Sequence, residues 1–246
     1  AKWMRAIFSL VAHPLSTALN HPIRVVASRQ FSQSMPTSSS SYSKVLWAEN
    51  QNIAFRCLYH PFVTSLAIGT LPVSSFQHYV GQDYFFLNSF AIAYTKASEL
   101  AASRQDEYGK ETFSVLAAGV LSEQKLHEAY AKKWDVDLSL ANPSPATLEY
   151  VNFLAETTEA QSRSPDGKIS VICAAMVPCM RLYAFLGKSL SQAGFGSGSA
   201  AGPYHEWVDT YSAADFEELA ASLEALLDRY VDAEQPPREA MLAAYA

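Results

Sequence analysis

Apolar residues recur every three or four positions from Ser43 to the end of the chain, the spacing of helices that bury one face. No stretch of alternating β-branched residues is long enough to predict a strand. The pattern therefore predicts seven or so helices in one all-α domain, without an internal repeat. They are expected at about residues 44–68, 73–103, 107–134, 145–159, 168–193, 204–208 and 213–233, and from 238 onward.

Prolines and glycines mark where these helices start, bend or end. Pro61 predicts a bend or break in the second half of the first helix, and Pro145 follows the capping residue Ser144 at the start of the fourth. Residues 194–202 are rich in glycine and serine and predict a loop. The fifth helix has almost no charge in its first half, so we expect it at the centre of the domain.

Composition narrows the class of protein. The chain has 246 residues, 49% of them apolar, and a net charge of −6. It has no dense Lys/Arg stripe, which argues against nucleic-acid binding. Three cysteines without metal-type spacing predict reduced thiols in an intracellular compartment. The longest apolar runs fall short of the roughly 20 residues that span a bilayer, so no membrane helix is expected.

The first 44 residues differ in composition from the rest. They contain arginines and many serines, and no acidic residue occurs before Glu49. This composition is typical of an organelle transit peptide, although a disordered tail without an address is the alternative. We expect a mitochondrial leader before a helical domain over 45–246. Translation from Met4 or Met35 would give products with and without the basic stretch, so a cytosolic form is a further hypothesis.

Asp83 is a carboxylate on an apolar helix face. It lies in helical register with Phe76, Tyr79, Leu87 and Phe90 of the second helix. Burying a carboxylate costs free energy unless it has a partner or a task, so Asp83 is a candidate site residue. The alternative is that it only bonds a neighbouring helix or a tyrosine hydroxyl.

Cys179 is the candidate nucleophile. Pro178 removes a backbone hydrogen bond and predicts a bend just before the thiol, as helices that line cavities often have. Tyr183 follows four residues later on the same face. Alternatively, Cys179 is a small core residue, which is the interpretation that we keep for Cys57 and Cys173.

The remaining polar candidates are weaker. Glu123 and His127 are four residues apart on the third helix, where an exposed ion pair is the usual explanation. The alternative is a metal site in a helical bundle, but no second Glu/His set has matching spacing. Single histidines and aromatic residues are expected to be structural or exposed. These are His60, His78, His205, Tyr150 and Tyr211.

Short motifs occur in a fixed order along the chain, and together they are more specific than any one alone. They are His60-Pro61-Phe62-Val63, Gly69-Thr70-Leu71-Pro72, Tyr79-Val80-Gly81-Gln82-Asp83, Pro143-Ser144-Pro145 with Tyr150, Val177-Pro178-Cys179 with Leu182-Tyr183 and Gly187, and Trp207 with Tyr211. On these motifs the chain resembles the TenA/thiaminase II family from about Leu46 to its end, roughly four-fifths of its length. The leader makes it most similar to plant members in which a haloacid-dehalogenase-type phosphatase domain for thiamin monophosphate follows.

The resemblance implies a haem-oxygenase-like helical bundle, usually a homotetramer. Such proteins hydrolyse thiamin or aminomethyl-pyrimidine to hydroxymethyl-pyrimidine, and no cofactor or resident metal is implied. By the resemblance, Cys179 is the nucleophile that adds to the pyrimidine ring and Asp83 orients the aminopyrimidine. Tyrosines at Tyr150, Tyr183 and Tyr211 line the pocket. This agrees with the chemistry, since ring addition needs a thiolate, a polar anchor and flat surfaces.

The chain departs from the family at three places. Phe86 stands where members commonly have a tyrosine, so it can stack on the substrate but cannot donate a hydrogen bond. The family's acid/base glutamate lies in the last helix, and no residue up to Ala246 matches it; Glu239 does not fit that motif. A chain without this acid would bind the pyrimidine without turning it over. Phe185 replaces a carboxylate of some relatives, with no consequence that the sequence indicates.

Three functions therefore compete. The first is an aminopyrimidine hydrolase of thiamin salvage. The second is a non-catalytic module that binds pyrimidine or forms oligomers and carries a phosphatase domain. The third is a metal-dependent oxidase that uses Glu123, His127 and Asp83. The sequence does not choose among thiamin, its phosphates, and oxidised or formylated pyrimidines as the substrate.

Overall fold

The computed structural model describes residues 41–196 and 202–245, apart from the side chains of residues 122, 123, 125 and 126. Within these ranges the secondary structure is helical, as the sequence predicts. The helices are α1 (Tyr42–Glu49), α2 (Gln51–Leu58), α3 (Pro61–Ala67), α4 (Val73–Ser103), α5 (Glu107–Lys133), α6 (Pro145–Arg163), α7 (Ile169–Gln192), α8 (His205–Ser212), α9 (Ala214–Glu234) and α10 (Arg238–Tyr245), with a short 3₁₀ turn over Gly202–Tyr204. The expected leader and part of the glycine-serine loop lie outside the described residues.

The prediction of one long first helix is wrong, because three short helices replace it. The chain turns at Asn50, whose side-chain amide donates to the Leu46 carbonyl (2.9 Å) in competition with the helix backbone. The break at Pro61 is confirmed. His60 caps α3, since its Nδ1 accepts from the Phe62 amide (3.2 Å), and Pro61 occupies the first turn. A smaller difference is that α6 continues to Arg163, past the expected end at residue 159.

Helix α7 lies at the centre of the domain, as predicted from its low charge. It contacts α2, α4, α6, α8, α9 and α10. By length and composition it is apolar enough to cross a membrane, but 83% of its most apolar stretch is buried among the other helices. Because Lys168 provides no side-chain cap, the Glu234 carboxylate of α9 caps the helix instead, accepting from the amides of Ile169 (2.9 Å) and Ser170 (2.8 Å).

Helices α4 and α5 form an extensively packed pair that runs antiparallel. Near one end, Ser98 Oγ donates to the Lys110 carbonyl (2.9 Å), and near the other His127 Nε2 bonds the Val80 carbonyl (2.8 Å). Asp106 caps α5 and accepts two hydrogen bonds from Arg229 of α9 (both 2.9 Å). The two bonds between α4 and α5 hold the face of α4 that carries Asp83 against α5, and the Asp106 contacts join α5 to α9.

Candidate functional site

Cys179 lies in the middle of α7 and is almost completely buried. Pro178 stands inside the helix, so the Ala174 carbonyl loses its backbone donor. On the next residue, the Ala175 carbonyl accepts a hydrogen bond from the Tyr150 hydroxyl of α6 (3.0 Å). Tyr150 therefore reaches the irregular turn beside the thiol. Taken alone, Tyr150 was expected to be a packing residue, whereas the family resemblance predicted that it lines the pocket.

The thiol is held in its protonated form. Burial, followed by the negative charge of Asp83, raises the pKa of Cys179 well above its usual value. A thiolate would need either a compensating positive charge or a base that removes its proton as the sulfur attacks. Asp83 is the carboxylate whose charge acts on this sulfur, so the two predicted catalytic residues lie in one site although 96 positions (179 − 83) separate them in sequence.

Tyrosines from three helices surround this pair. The ring of Tyr183 lies 4.7 Å from that of Tyr211 of α8, measured between centroids. Behind them, Trp207 donates its indole N–H to the Tyr79 hydroxyl (2.7 Å). Tyr79 is also hydrogen-bonded to Tyr183, and because its oxygen already accepts from Trp207, its own proton can point to Tyr183. A buried series of hydrogen-bond donors therefore runs from Trp207 through Tyr79 to the Tyr183 hydroxyl, which lies beside Cys179.

A flat aromatic wall completes the site. The Phe86 ring stacks on Tyr150 at a centroid distance of 5.6 Å and an interplanar angle of 12°. Tyr94 also borders the thiol: burial is the main cause that raises its pKa, and the proximity of Cys179 and Cys173, which would repel a phenolate when ionised, adds to it. Phe86 lacks a hydroxyl, so this wall offers stacking rather than a hydrogen bond.

The structure thus brings together all six residues that the sequence proposed for the site, and their roles stay predictions. They are Cys179, Asp83, Tyr150, Tyr183, Tyr211 and Phe86. All are less than 10% exposed, so the site is closed. A surface groove of about 590 Å³ lies elsewhere, between Tyr84 and the residues from Asp135 to Ser139, and it lacks the thiol and the tyrosine cluster.

His127 was misjudged from the sequence. We expected an exposed pair with Glu123, but the His127 side chain is fully buried and its Nδ1 faces the Asp83 carboxylate (3.5 Å to Oδ2). The Glu123 side chain lies outside the description. Across the described residues, no three His, Cys, Asp or Glu side chains come together as metal ligands.

Two sequence candidates lie outside the site. Glu239 is exposed in the first turn of α10, in agreement with its failure to match the family's acid. Phe185 packs edge-on against Trp47 of α1 and Phe55 of α2, each at 5.6 Å between ring centroids. Its aromatic ring therefore joins the first two helices to α7. Cys57 is buried in the core, as expected.

Gly187 sets how closely α8 approaches α7. A Cβ at this position would lie against the backbone of Tyr211 and Ser212, 2.6 Å from the Ser212 nitrogen. Backbone cannot move aside as a side-chain tip can. Glycine at 187 therefore allows Tyr211 to sit beside Tyr183 in the site.

Gly187→Ala is expected to destabilise the chain by about 1–3 kcal/mol, since overpacking forces the two helices apart. Thermal unfolding measures the loss, and the activity of the remaining folded protein should fall because Tyr211 is displaced. Gly119→Ala is the matched control, because a Cβ there meets nothing within 4 Å. Equal melting temperatures for the two variants would contradict this account of Gly187.

The fold and the site define an all-α bundle whose central helix presents a buried thiol to an aspartate and a group of stacked aromatic rings. The TENA/THI-4/PQQC family profile matches residues 47–243. The chain therefore belongs to the TENA/THI-4/PQQC family, and its fold is the haem-oxygenase-like bundle expected from the sequence.

Curated relatives agree with this assignment. The chain is 32% identical over 244 residues to the "Bifunctional TH2 protein, mitochondrial" of Arabidopsis thaliana, covering 92% of this chain but only 38% of that protein. It is 30% identical over 204 residues to the aminopyrimidine aminohydrolase of Halalkalibacterium halodurans, covering 79% of this chain and 81% of that one.

Solved structures share the fold. A TenA homologue from Pyrococcus furiosus superposes with a TM-score of 0.68 at 20% identity, over 82% of this chain and 92% of that one. A protein from Silicibacter described as a TenA family transcription regulator gives a TM-score of 0.69 at 22% identity, over 82% and 88%.

Proposed function

We propose that the chain hydrolyses a small aminopyrimidine in thiamin salvage, with Cys179 as the nucleophile. The observation that carries the proposal is the convergence of the Cys179 thiol and the Asp83 carboxylate inside a closed aromatic site. The relative from Halalkalibacterium halodurans that bears the name aminopyrimidine aminohydrolase supports the reaction class. For aminomethyl-pyrimidine the net reaction consumes one water and releases hydroxymethyl-pyrimidine and ammonia.

Each residue has a role that its chemistry permits. The Asp83 carboxylate accepts a hydrogen bond from the exocyclic amino group and so orients the ring by the sulfur. Phe86 and Tyr150 stack on the planar ring, while Tyr183 and Tyr211 contribute phenols on the other side. The planar ring of the bound substrate thereby excludes water from the site.

The reaction proceeds through a covalent adduct. The Cys179 thiol adds across a C=N bond of the pyrimidine: the S–C bond forms and the thiol proton passes, by way of Asp83, to the ring nitrogen. Electrons of the adduct then expel the amine from the methylene carbon, and the proton on the ring nitrogen passes to the amine, which leaves as ammonia. Water then adds its hydroxyl to that carbon and its proton to the ring nitrogen. The S–C bond breaks, the thiol takes back this proton, and the aromatic ring is restored.

Product analysis tests this proposal. The purified chain is incubated with aminomethyl-pyrimidine, its formylated form, or thiamin, and hydroxymethyl-pyrimidine is measured by chromatography and mass spectrometry. We expect product from at least one of them. A form of the protein that continues past Ala246 is assayed alongside, which tests the expected contribution of an acid/base glutamate in the last helix. No product from either form with any of the three substrates would overturn the hydrolase proposal.

The second candidate is a non-catalytic pyrimidine-binding module within a larger protein. The observation in its favour is that this chain spans only 38% of the bifunctional Arabidopsis relative, so a C-terminal phosphatase domain is a proposed partner. Binding of the pyrimidine without turnover by either form would favour this function over hydrolysis.

A homotetramer is the proposed assembly, and one surface supports it. The solvent faces of α4 and α5 carry no Asp, Glu, Lys or Arg between Asp83 and Lys96 or between Glu111 and Glu123. They expose three large apolar side chains, namely Ile92, Val115 and Leu121. Sedimentation of the purified chain tests the assembly, and a purely monomeric species would contradict it.

We propose a mitochondrial location, with a second product in the cytosol, from the composition of residues 1–44 and from the word "mitochondrial" in the name of the Arabidopsis relative. Imaging of tagged products that start at Met4 and at Met35 distinguishes the two locations. Cytosolic signal from the Met4 product would contradict a mitochondrial address.

A further inference from the structure

The buried histidine between α4 and α5 has a fixed tautomer. His127 Nε2 lies 2.8 Å from the Val80 carbonyl oxygen. A carbonyl can only accept, so the Nε2 nitrogen must carry a proton. The imidazole ring is fully buried and lies 6.4 Å from the Tyr84 ring between centroids, so it has little freedom to turn.

The other ring nitrogen faces the site. His127 Nδ1 lies 3.5 Å from Asp83 Oδ2, and the Asp83 side chain is itself almost completely buried. Burial lowers the pKa of His127 to about 4, although the Val80 hydrogen bond opposes that shift. The neutral imidazole therefore points a lone pair at a carboxyl oxygen. Two acceptors at this distance attract each other only when a proton lies between them.

We propose that His127 is a positioning residue for Asp83, holding its carboxyl group through one proton shared between Nδ1 and Oδ2. The inference rests on the proposed function and deepens it. A carboxylate that rotates would lose the geometry that places the pyrimidine by Cys179. With Oδ2 bound to the imidazole, rotation of the carboxyl group is restricted, and the fixed carboxyl group defines where the substrate amino group binds.

Two amide substitutions at His127 test its contacts with Val80 and Asp83 separately. In His127→Asn, the side-chain amide nitrogen can occupy the place of Nδ1 and donate to Asp83, but the Val80 bond is lost. In His127→Gln, the amide nitrogen reaches the place of Nε2 and can keep the Val80 bond, but Asp83 is no longer held. We expect KM to rise less than about threefold for Asn and up to about tenfold for Gln, since a hydrogen bond between neutral groups contributes about 0.5–1.5 kcal/mol.

A purely structural role predicts the opposite order. In that case His127→Gln, which preserves the bond across α4 and α5, would be the better tolerated variant in KM as well as in melting temperature. That order would overturn the proposal. His127→Leu, which keeps neither contact, is expected to raise KM as much as His127→Gln does.

Nuclear magnetic resonance tests the geometry without relying on turnover. In ¹⁵N-histidine-labelled protein, the His127 signals are assigned by their loss in His127→Asn. We expect Nε2 to be protonated and the Nδ1 resonance to shift in Asp83→Asn. An unprotonated Nε2, or an Nδ1 resonance that is identical in Asp83→Asn, would overturn the proposal. If the unmodified chain releases no product while these spectra are as expected, the proposed function fails and the Asp83–His127 contact stands.

Discussion

Cys179→Ala is expected to lower the rate of aminopyrimidine hydrolysis at least about a thousandfold while the chain remains folded. Removing a nucleophile eliminates the covalent route, and losses of that order are typical when a residue that forms the reacting bond is deleted. The side chain is buried, so the substitution also leaves a small cavity that costs about 1–2 kcal/mol of stability. Steady-state kinetics and thermal unfolding measure the two effects separately.

Cys173→Ala is the matched control for this experiment. It removes a thiol of equal size from the same helix, also fully buried and also beside Tyr94, but the proposed reaction does not use it. We expect similar losses of stability in both variants and a large loss of turnover only in Cys179→Ala. Equal activities in the two variants would contradict the assignment of the nucleophile.

Asp83→Asn is expected to lower kcat/KM about a hundredfold. The amide keeps the shape of the carboxyl group but presents a donor to the substrate amino group in place of an acceptor. Losing that hydrogen bond and leaving a buried donor without a partner costs about 1–3 kcal/mol, which corresponds to roughly five- to a hundredfold, and loss of the proton carrier adds to this. Competitive binding of a pyrimidine inhibitor separates the binding part from the chemical part.

The same variant should unfold at an equal or higher temperature than the unmodified chain. Asp83 is a buried acid that shares a proton with His127 in our proposal, and an asparagine amide can donate to the same imidazole nitrogen without a buried group that can ionise. Asp137→Asn, at an exposed turn where the carboxylate accepts hydrogen bonds from Ser139, is the control that should leave turnover unchanged. A kcat/KM for Asp83→Asn within about threefold of the unmodified chain would exclude Asp83 as the anchor.

Local sequence patterns predicted most of the helices, because a helix depends on the spacing of apolar residues within one continuous segment. The register of Asp83 on an apolar stripe and the proline before Cys179 are both features of a single helix, and both residues lie in the site. The first helix was mispredicted because its apolar spacing continues smoothly through residue 50, whereas the turn there depends on one side-chain bond from Asn50 to Leu46. Such a bond competes with the helix by a small free-energy difference that spacing does not reveal.

The spacing of apolar and polar residues did not predict the contacts between segments that are distant in sequence. The bond from Trp207 to Tyr79 joins residues 128 positions apart, and nothing near either residue signals the other. His127 was misjudged because a glutamate four residues earlier suggests a solvent-exposed pair, whereas its partners Val80 and Asp83 belong to the facing helix. The nearest available signal was the apolar stripe of α5 that includes Tyr130, on whose edge His127 lies.

The most direct test of the account is the release of hydroxymethyl-pyrimidine from aminomethyl-pyrimidine by the unmodified protein and by Cys179→Ser under identical conditions, with pyrimidine binding measured for both. The account predicts that both proteins bind the pyrimidine and that only the unmodified protein forms product above background. Product formation at comparable rates by both proteins would contradict the central role of Cys179.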